Sequence, residues 1–284
     1  MGARLLTLLL VLPLASACSS DASSSRSAAP SSTPTEAHTL AMTCQSEGSP
    51  TVVLEAGLDT SGDTFATLVD TLAATTRVCW SDRAGVGGSP ALAADAPDPW
   101  PGSSADALAA ELEDRGEAAP YVVLGWSYGG MVAQAFATRH ADLTAGVVLE
   151  DSSVPEQFTD PAWHDIAWVD GGREVDEDTA AAELSEVDLG DLPVVVLTAE
   201  DLTGKLRRLW EGYHERLTAS SGDAVHARAV GAGHAIHEST PDLVAAAVVD
   251  VVEAVRAEAP LGPCDGRYDD LGGRCLSPAG GYRR

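Results

Sequence analysis

Basic residues are scarce in this chain. Its 284 residues include 17 Lys and Arg against 43 Asp and Glu, which gives a formal net charge of −26. A surface of this sign repels polyanions, so the composition argues against nucleic acid and anionic lipid headgroups as partners. The charge favours solubility and predicts nothing about the fold.

The sequence also has no metal-ligand motif, and no second long apolar run follows the one at its N-terminus. No Cys-x-x-Cys pair, and no histidine pair at ligand spacing, accompanies the cysteines, which argues against a metal site built on them. After the first 18 residues, no apolar run is long enough to span a bilayer. We therefore expect no metal, no cofactor and no transmembrane helix.

The one long apolar run lies at the N-terminus. The segment "MGARLLTLLLVLPLASAC" has a basic residue, then an apolar stretch, then small residues that end at Cys18. These features predict a secretory signal peptide over residues 1–17, too short and wrongly flanked for a membrane-spanning helix. The ending resembles the lipobox of bacterial lipoproteins, in which the cysteine is lipidated. The alternative is an ordinary cleavage site that happens to precede a cysteine.

Composition divides the rest of the chain into three segments. Residues 18–36 begin with the candidate lipidation cysteine and are rich in Ser, Ala and Pro without apolar periodicity, which predicts a flexible tether. Residues 37–260 suit one α/β domain, and residues 261–284 form a Gly-rich tail. We therefore expect an exported protein, either secreted or held by its lipid at the outer face of the bacterial cell membrane.

Four cysteines remain once the lipidation candidate is set aside. An even number in an exported protein predicts two disulfides, and four cysteines permit three pairings. The favoured pairing joins Cys264 to Cys275 in a short loop and Cys44 to Cys79, which lie on two different predicted strands that must then be neighbours. Free buried thiols are the alternative.

Short valine-rich runs alternate with helix-like stretches. Runs such as "TVVLEAG", "YVVLGW" and "LPVVVLTAE" are apolar throughout, as expected of strands covered on both faces. Between them lie helical patterns such as "SADALAAELEDRG" and "TPDLVAAAVVDVVEAVRAE", the latter with Pro241 at its start. The alternation predicts an α/β fold, a mostly parallel sheet with helices on both faces. The acidic segment 152–191 breaks this rhythm and is predicted to hold one helix.

A glycine-flanked serine follows one of these strands. In "YVVLGWSYGGMVAQAFA", Ser127 lies between a predicted strand and a predicted helix, with Gly125 and Gly129 two residues away on either side. A side chain at such a turn projects above the sheet, and the glycines let the turn close without Cβ clashes. The alternative is a glycine turn with an incidental serine. With its flanking elements, the motif resembles the nucleophile elbow of the α/β-hydrolase fold superfamily, and the resemblance covers nearly the whole domain.

The resemblance implies a histidine base on a loop after the last strand. In "AVGAGHAIHESTPDL", His234 follows Gly-x-Gly and precedes the final helix, as that position requires. A serine hydroxyl is a weak nucleophile until a base accepts its proton, so His234 is assigned this role. His237, three residues later, is the competing candidate.

Two aspartates compete for the acid that orients the histidine. The commonest family position follows the strand "PVVVLTAED", but there Leu202 stands at the expected point and Asp201 is out of step. The other family position is the end of the preceding strand, "GVVLEDSS", which supplies Asp151. Asp151 is therefore preferred, and Glu150 and Glu200 are expected to be solvated.

The resemblance also implies an oxyanion hole made of two backbone N–H groups. One donor is the residue after the nucleophile, Tyr128, and the other is Leu58, in the loop where Ala56-Gly57 replaces the family's His-Gly. Loss of that histidine leaves the backbone donor in place.

The segment "WSDRAGVGGS" resembles a turn that is common in these hydrolases. By that resemblance, Asp82 and Arg83 fix the turn beside the active site. The resemblance also places the strand of Cys79 next to the strand expected to hold Cys44, which supports that pairing independently.

The combined pattern predicts a serine hydrolase that cleaves a carboxylic ester or thioester of a small molecule through an acyl-enzyme. The insert of about 40 residues after Asp151 is the expected lid, and four aromatic residues are candidates for an acyl pocket: Trp126, Tyr128, Trp163 and Trp168. One alternative is a cofactor-free perhydrolase of the haloperoxidase type on the same triad. Another is a membrane-tethered binding protein without turnover, since a fold alone never fixes an activity.

Overall fold

Strands and helices alternate along most of the chain. A computed structural model describes residues 40–276, so the predicted signal peptide, Cys18, the tether and the last eight residues lie outside the described part. The described strands are Met42–Gln45 (β1), Thr51–Glu55 (β2), Val78–Ser81 (β3), Tyr121–Trp126 (β4), Thr144–Glu150 (β5), Val169–Asp170 (β6), Arg173–Glu174 (β7), Gly190–Ala199 (β8), Ser221–Ala229 (β9) and Gly273–Cys275 (β10).

Seven α-helices lie in the same range. They are Ala66–Leu72 (α1), Pro101–Asp114 (α2), Tyr128–Arg139 (α3), Glu177–Leu184 (α4), Gly204–Ala219 (α5), Ile236–Ser239 (α6) and Pro241–Ala257 (α7). Short 3-10 helices cover Gly62–Phe65, Pro155–Phe158, Pro161–Trp163 and Asp269–Leu271. Within residues 40–276, no helix is both long and apolar enough to cross a bilayer.

Eight of the strands form one sheet in the order β1-β3-β2-β4-β5-β8-β9-β10. Only the two edge strands are antiparallel to their neighbours, β1 to β3 and β10 to β9. The predicted α/β fold with a mostly parallel sheet is confirmed. The carboxyl ends of β4, β5 and β8 therefore meet at one edge of the sheet, where the site described below is built.

The central strands are apolar on both faces because helices cover both. Val52 and Leu54 point into a core shared with α1 and α7, whereas Val53, between them, packs on the side of α2, α3 and α5. All three side chains are fully buried. The unbroken valine runs in the sequence follow from this double burial.

Three elements differ from the sequence prediction. Helix α5 was not anticipated, although Trp210, Tyr213 and Leu217 form a buried stripe with helical spacing along it. Strand β10 was not anticipated either, and it joins the supposed Gly-rich tail to the main sheet, so the predicted boundary at residue 260 does not separate the two. The insert after β5 contains the expected helix, α4, together with a small β6–β7 hairpin.

Both predicted disulfides are present in the structure. Cys44 and Cys79 are directly opposite each other on β1 and β3, with their Cα atoms 4.0 Å apart. The bond between Cys264 and Cys275 ties the segment before β10 to that strand. Each bond therefore fastens an antiparallel edge strand of the sheet.

Candidate active site

Ser127 occupies a sharp turn between β4 and α3. Its backbone has φ 55° and ψ −123°, a conformation that costs a non-glycine residue about 1–3 kcal/mol. A Cβ on Gly125 would lie 2.2 Å from the carbonyl oxygen of Gly129, and one on Gly129 would lie 2.2 Å from that of Glu55. The two flanking glycines are thus required by backbone packing, and the serine alone carries a side chain out of the turn.

His234 lies on the loop between β9 and α6, facing the serine. Its Nε2 is 2.9 Å from Oγ of Ser127. The indole Nε1 of Trp126 donates to the carbonyl oxygen of His234 at 2.8 Å, and this hydrogen bond fixes the loop beside the turn. The imidazole is thus positioned to accept the proton of the serine hydroxyl.

Asp151 completes the chain of hydrogen bonds from the end of β5. Its Oδ2 is 2.7 Å from Nδ1 of His234. Its other oxygen, Oδ1, accepts from the backbone N–H of Ala199 at 2.9 Å and from Nε1 of Trp210 at 2.7 Å. Asp201 is exposed and makes no hydrogen bond with any residue between 40 and 276. The structure therefore brings Asp151, and not Asp201, to the imidazole.

Asp151 and His234 shift each other's pKa. Burial alone would raise the pKa of Asp151, but the hydrogen bond with His234 and the positive field of nearby histidines outweigh it and hold that pKa below its usual value. Loss of water around the imidazole lowers the pKa of His234, but the hydrogen bond and negative charge of Asp151 outweigh this effect and raise that pKa. The carboxylate stays ionised and the imidazole becomes a stronger base, a combination suited to general base catalysis.

Two backbone N–H groups lie unpaired beside the serine. Tyr128 is the first residue of α3 and Leu58 lies in the loop after β2; within residues 40–276 neither N–H has a hydrogen-bond acceptor. A Cβ on Gly57 would lie 2.8 Å from the ring of Trp126, so the loop can approach the serine turn only with glycine there. The helix N-terminus adds a partial positive charge. Together these donors form a candidate oxyanion hole.

A family model of the alpha/beta hydrolase fold matches residues 50–238. The chain belongs to the α/β-hydrolase fold family. It is 26% identical over 227 residues, 74% of this chain and 87% of the relative, to the uncharacterized protein YqjL of Bacillus subtilis (strain 168). It is 36% identical over 114 residues to a pimeloyl-(acyl-carrier protein) methyl ester esterase of Chromobacterium violaceum, covering 40% of this chain and 41% of that enzyme.

A solved esterase from Thermogutta terrifontis, with malate bound, has a TM-score of 0.60 at 19% identity and covers 76% of this chain and 93% of that structure. With esterases among its relatives, this α/β hydrolase is an enzyme of the hydrolase class. The prediction of an enzyme is confirmed.

One residue of the α/β hydrolase's site was missed by the sequence analysis. Trp210, on α5, is 3% exposed and donates one of the two hydrogen bonds that fix Oδ1 of Asp151. On the next turn of the same helix, the ring of His214 packs 4.6 Å from the indole, and its Nε2 bonds the carbonyl oxygen of Ser152 at 3.0 Å. The signal was the apolar stripe of α5, which begins with this tryptophan.

The expectation that Glu150 is solvated is wrong. It is fully buried, and its Oε1 accepts from the backbone N–H and from Nδ1 of His237, both at 2.7 Å. Nε2 of His237 bonds Oγ1 of Thr64 at 3.0 Å, so both ring nitrogens are occupied away from the serine. The structure therefore brings His234, and not the competitor His237, to Ser127. Glu200 is partly exposed, with 21% of its side chain accessible.

A cavity of about 310 Å³ opens above the serine. Its apolar wall comes from Leu58, Leu202 and Trp210 and, on the insert after β5, from Trp163, Ile166 and Trp168. Of the four aromatic residues predicted to line a pocket, Trp163 and Trp168 do so. Trp126 instead packs against the histidines, and the ring of Tyr128 is buried below the site.

Within residues 40–276, one group of three side chains has atoms close enough to hold a metal ion: Cys44, Cys79 and Glu117. The two cysteines are joined in a disulfide and offer no thiolate ligand. Nothing in this group fits a metal centre.

Proposed function

We propose that the protein is a serine hydrolase that cleaves a carboxylic ester or thioester of a small molecule through an acyl-enzyme. The observation that carries this proposal is the continuous hydrogen-bonded chain from Ser127 through His234 to Asp151, with two unpaired N–H groups beside the hydroxyl. The similarity to a methyl ester esterase supports an ester as substrate.

The geometry supports four proton transfers through one nitrogen, two in acylation and two in deacylation. Nε2 of His234 accepts the proton of Ser127 as Oγ bonds to the carbonyl carbon, and the resulting oxyanion accepts from the N–H groups of Leu58 and Tyr128. Nε2 then gives its proton to the departing alkoxide or thiolate, which leaves the acyl group on the serine. A water molecule, deprotonated by the same nitrogen, attacks the acyl carbon, and return of the proton to Oγ releases the acid product.

The cavity favours a small substrate without negative charge. Its volume of about 310 Å³ is at the low end for small-molecule sites, which typically measure about 300–1,000 Å³. The described charged side chains that line it are Asp151 and Asp201, and no arginine or lysine is among them. A carboxylate on the substrate would face the exposed Asp201 within an apolar wall, so we propose uncharged or cationic esters of short acids.

A set of p-nitrophenyl esters with acyl chains of two to sixteen carbons tests the proposal. We expect turnover to be highest with short chains, and an ester with a terminal carboxylate to react more slowly than its neutral isostere. A fluorophosphonate probe should label the wild-type protein and leave Ser127→Ala unlabelled. Failure of the wild-type protein to hydrolyse any ester and to react with the probe would contradict the proposal and favour a binding protein.

We also propose that the protein is exported and lipidated on Cys18. The support is the sequence of residues 1–18 together with two disulfides, which form in oxidising compartments. The full chain expressed in a bacterial host should incorporate radiolabelled palmitate into the membrane fraction, and Cys18→Ser should not. Equal labelling of both would contradict lipidation at this residue.

A further inference from the structure

A buried guanidinium lies directly beneath the oxyanion loop. Arg83 follows β3 and is 4% exposed. Its Nη1 donates to the carbonyl oxygen of Ala56 at 2.8 Å, and its Nη2 donates to that of Gly57 at 2.6 Å. Nε and Nη2 form a two-pronged pair with Asp170 at 2.7 and 2.8 Å, and Glu55 lies 3.4 Å from Nη1.

The carbonyl of Gly57 belongs to the same peptide unit as the N–H of Leu58. A peptide unit is planar and trans, so the direction of its C=O fixes the opposite direction of its N–H. Two consecutive carbonyls held by one guanidinium therefore fix where the Leu58 N–H points. A hydrogen bond accepted by the carbonyl also polarises the unit and strengthens the N–H as a donor.

The β6–β7 hairpin of the insert holds Arg83 and the oxyanion loop from the other side. Oδ1 of Asp170 accepts from the backbone N–H of Asp59 at 2.8 Å, and Oδ1 of Asp59 accepts from that of Gly171 at 3.2 Å. A Cβ on Gly171 would lie 2.0 Å from the carbonyl oxygen of Ala84, so the hairpin is in close contact with the turn that carries Arg83. The loop 56–59 is thus held from β3 and from the insert at once.

The turn itself does not require the arginine. Oδ1 of Asp82 accepts from Oγ of Ser61 and from the N–H of Gly62, and its Oδ2 accepts from the N–H of Gly88, all at 2.7–2.8 Å. The guanidinium of Arg83 makes none of these bonds; it contacts the oxyanion loop, its acidic partners and the ring of Tyr128, whose centroid lies 5.2 Å away. Burial of a charged side chain is costly, so a neutral residue would serve a purely structural role as well.

We propose that Arg83 is a positioning residue that aims the Leu58 N–H at the oxyanion, and that Asp170 of the insert holds Arg83 for this task. The insert thereby contributes to rate as well as to the cavity wall. This inference rests on the proposed function, because it assigns a role in the same reaction.

Asp170→Asn, with Glu117→Gln as the matched control, tests the inference. Both changes remove the charge from a two-pronged pair with arginine, since Glu117 pairs with Arg77 at 2.6 and 2.7 Å away from the site. Loss of an oxyanion donor costs about 10²–10³ in kcat, and a misaimed donor should cost less, about 10–100-fold. We expect that loss in kcat for Asp170→Asn with KM changed less than about threefold, and no loss for Glu117→Gln.

A trifluoromethyl ketone separates a positioning role from a structural one. It forms a tetrahedral adduct with an oxyanion, so its inhibition constant should rise in proportion to the loss in kcat/KM of Asp170→Asn. Arg83→Lys, which keeps the charge and loses the two-pronged geometry, should behave in the same way.

Three outcomes would overturn the inference: unchanged kcat, a loss confined to KM, or failure of both variants to fold while Glu117→Gln folds normally. In each case ester hydrolysis by the wild-type protein leaves the proposed function intact. Absence of wild-type hydrolysis and probe labelling would overturn the proposed function instead.

Discussion

Replacement of Asp151 by asparagine is the most direct test of the proton relay. Oδ1 of Asp151 accepts from the N–H of Ala199 and from Nε1 of Trp210, so only the carbonyl oxygen of an asparagine can occupy that position. The amide nitrogen must then face Nδ1 of His234, where Oδ2 now lies at 2.7 Å. Because an amide nitrogen can only donate, Nδ1 must accept and the ring proton moves to Nε2.

In that tautomer Nε2 cannot accept the proton of Ser127. We expect kcat to fall by about 10⁴-fold, which corresponds to about 5 kcal/mol of transition-state stabilisation. Asp201→Asn is the comparison, because this aspartate lines the cavity without a hydrogen bond to the imidazole, and its change should leave kcat for a neutral ester within about threefold. Steady-state hydrolysis of p-nitrophenyl butyrate measures both, with urea unfolding of each variant to establish that the fold is intact.

A kcat for Asp151→Asn above a tenth of the wild-type value, with unchanged unfolding, would contradict the relay through Asp151. A larger effect of Asp201→Asn would also contradict it. The second result would assign the acid role to Asp201, the competing candidate after β8.

Three further predictions concern the pH dependence of kcat/KM, the substitution of two glycines and the removal of one disulfide. Since a protonated imidazole cannot accept a proton and the pKa of His234 is raised, kcat/KM should fall as the pH is lowered through a midpoint above that of free histidine; a midpoint below it would contradict the assignment. Gly129→Ala should abolish activity and lower the urea midpoint, whereas Gly212→Ala, in open space on α5, should raise the midpoint slightly. Serine in place of both Cys44 and Cys79, 35 residues apart, should lower the free energy of unfolding by about 4 kcal/mol, and urea titration showing no loss would contradict this.

Residues fixed by local backbone geometry were predictable from the sequence. The serine turn needs glycine at positions 125 and 129 because backbone atoms fill the space where side chains would lie. Such a requirement is visible in a short stretch of sequence, and Ser127 follows from it directly. His234 was predictable through the family resemblance, which implies a base on the loop between the last parallel strand and the final long helix.

The acid could not be chosen from local sequence. Strands β5 and β8 are neighbours, so the residues after both strands meet at one edge of the sheet and either could reach the imidazole. The choice depends on tertiary contacts: the backbone N–H of Asp151 bonds the carbonyl of Leu197, and Trp210 reaches its carboxylate from α5. Helix α5 is rich in charged residues and was not predicted from the sequence. The hydrogen bond from Trp210 that favours Asp151 over Asp201 could therefore not be foreseen.

Two adjacent carboxylates at the end of β5 differ in role because their surroundings differ: one belongs to the candidate active site and the other to a buried structural pair. Glu150 and Asp151 each bond Nδ1 of a histidine at 2.7 Å, His237 and His234 respectively, so residue type and distance do not distinguish the two pairs. The pairs differ in what lies beyond the ring. The side chain of His237 is 1% exposed and its far nitrogen meets a threonine, whereas that of His234 is 46% exposed and its far nitrogen meets Ser127 at the cavity. A base needs an acidic proton to take and a path for water to reach the acyl group, and only the second pair has both. A serine hydroxyl at position 64, introduced by Thr64→Ser in a Ser127→Ala background, should therefore not restore ester hydrolysis. That hydroxyl also bonds a histidine paired with a carboxylate, but it does not line the cavity that contains Ser127 and Leu58.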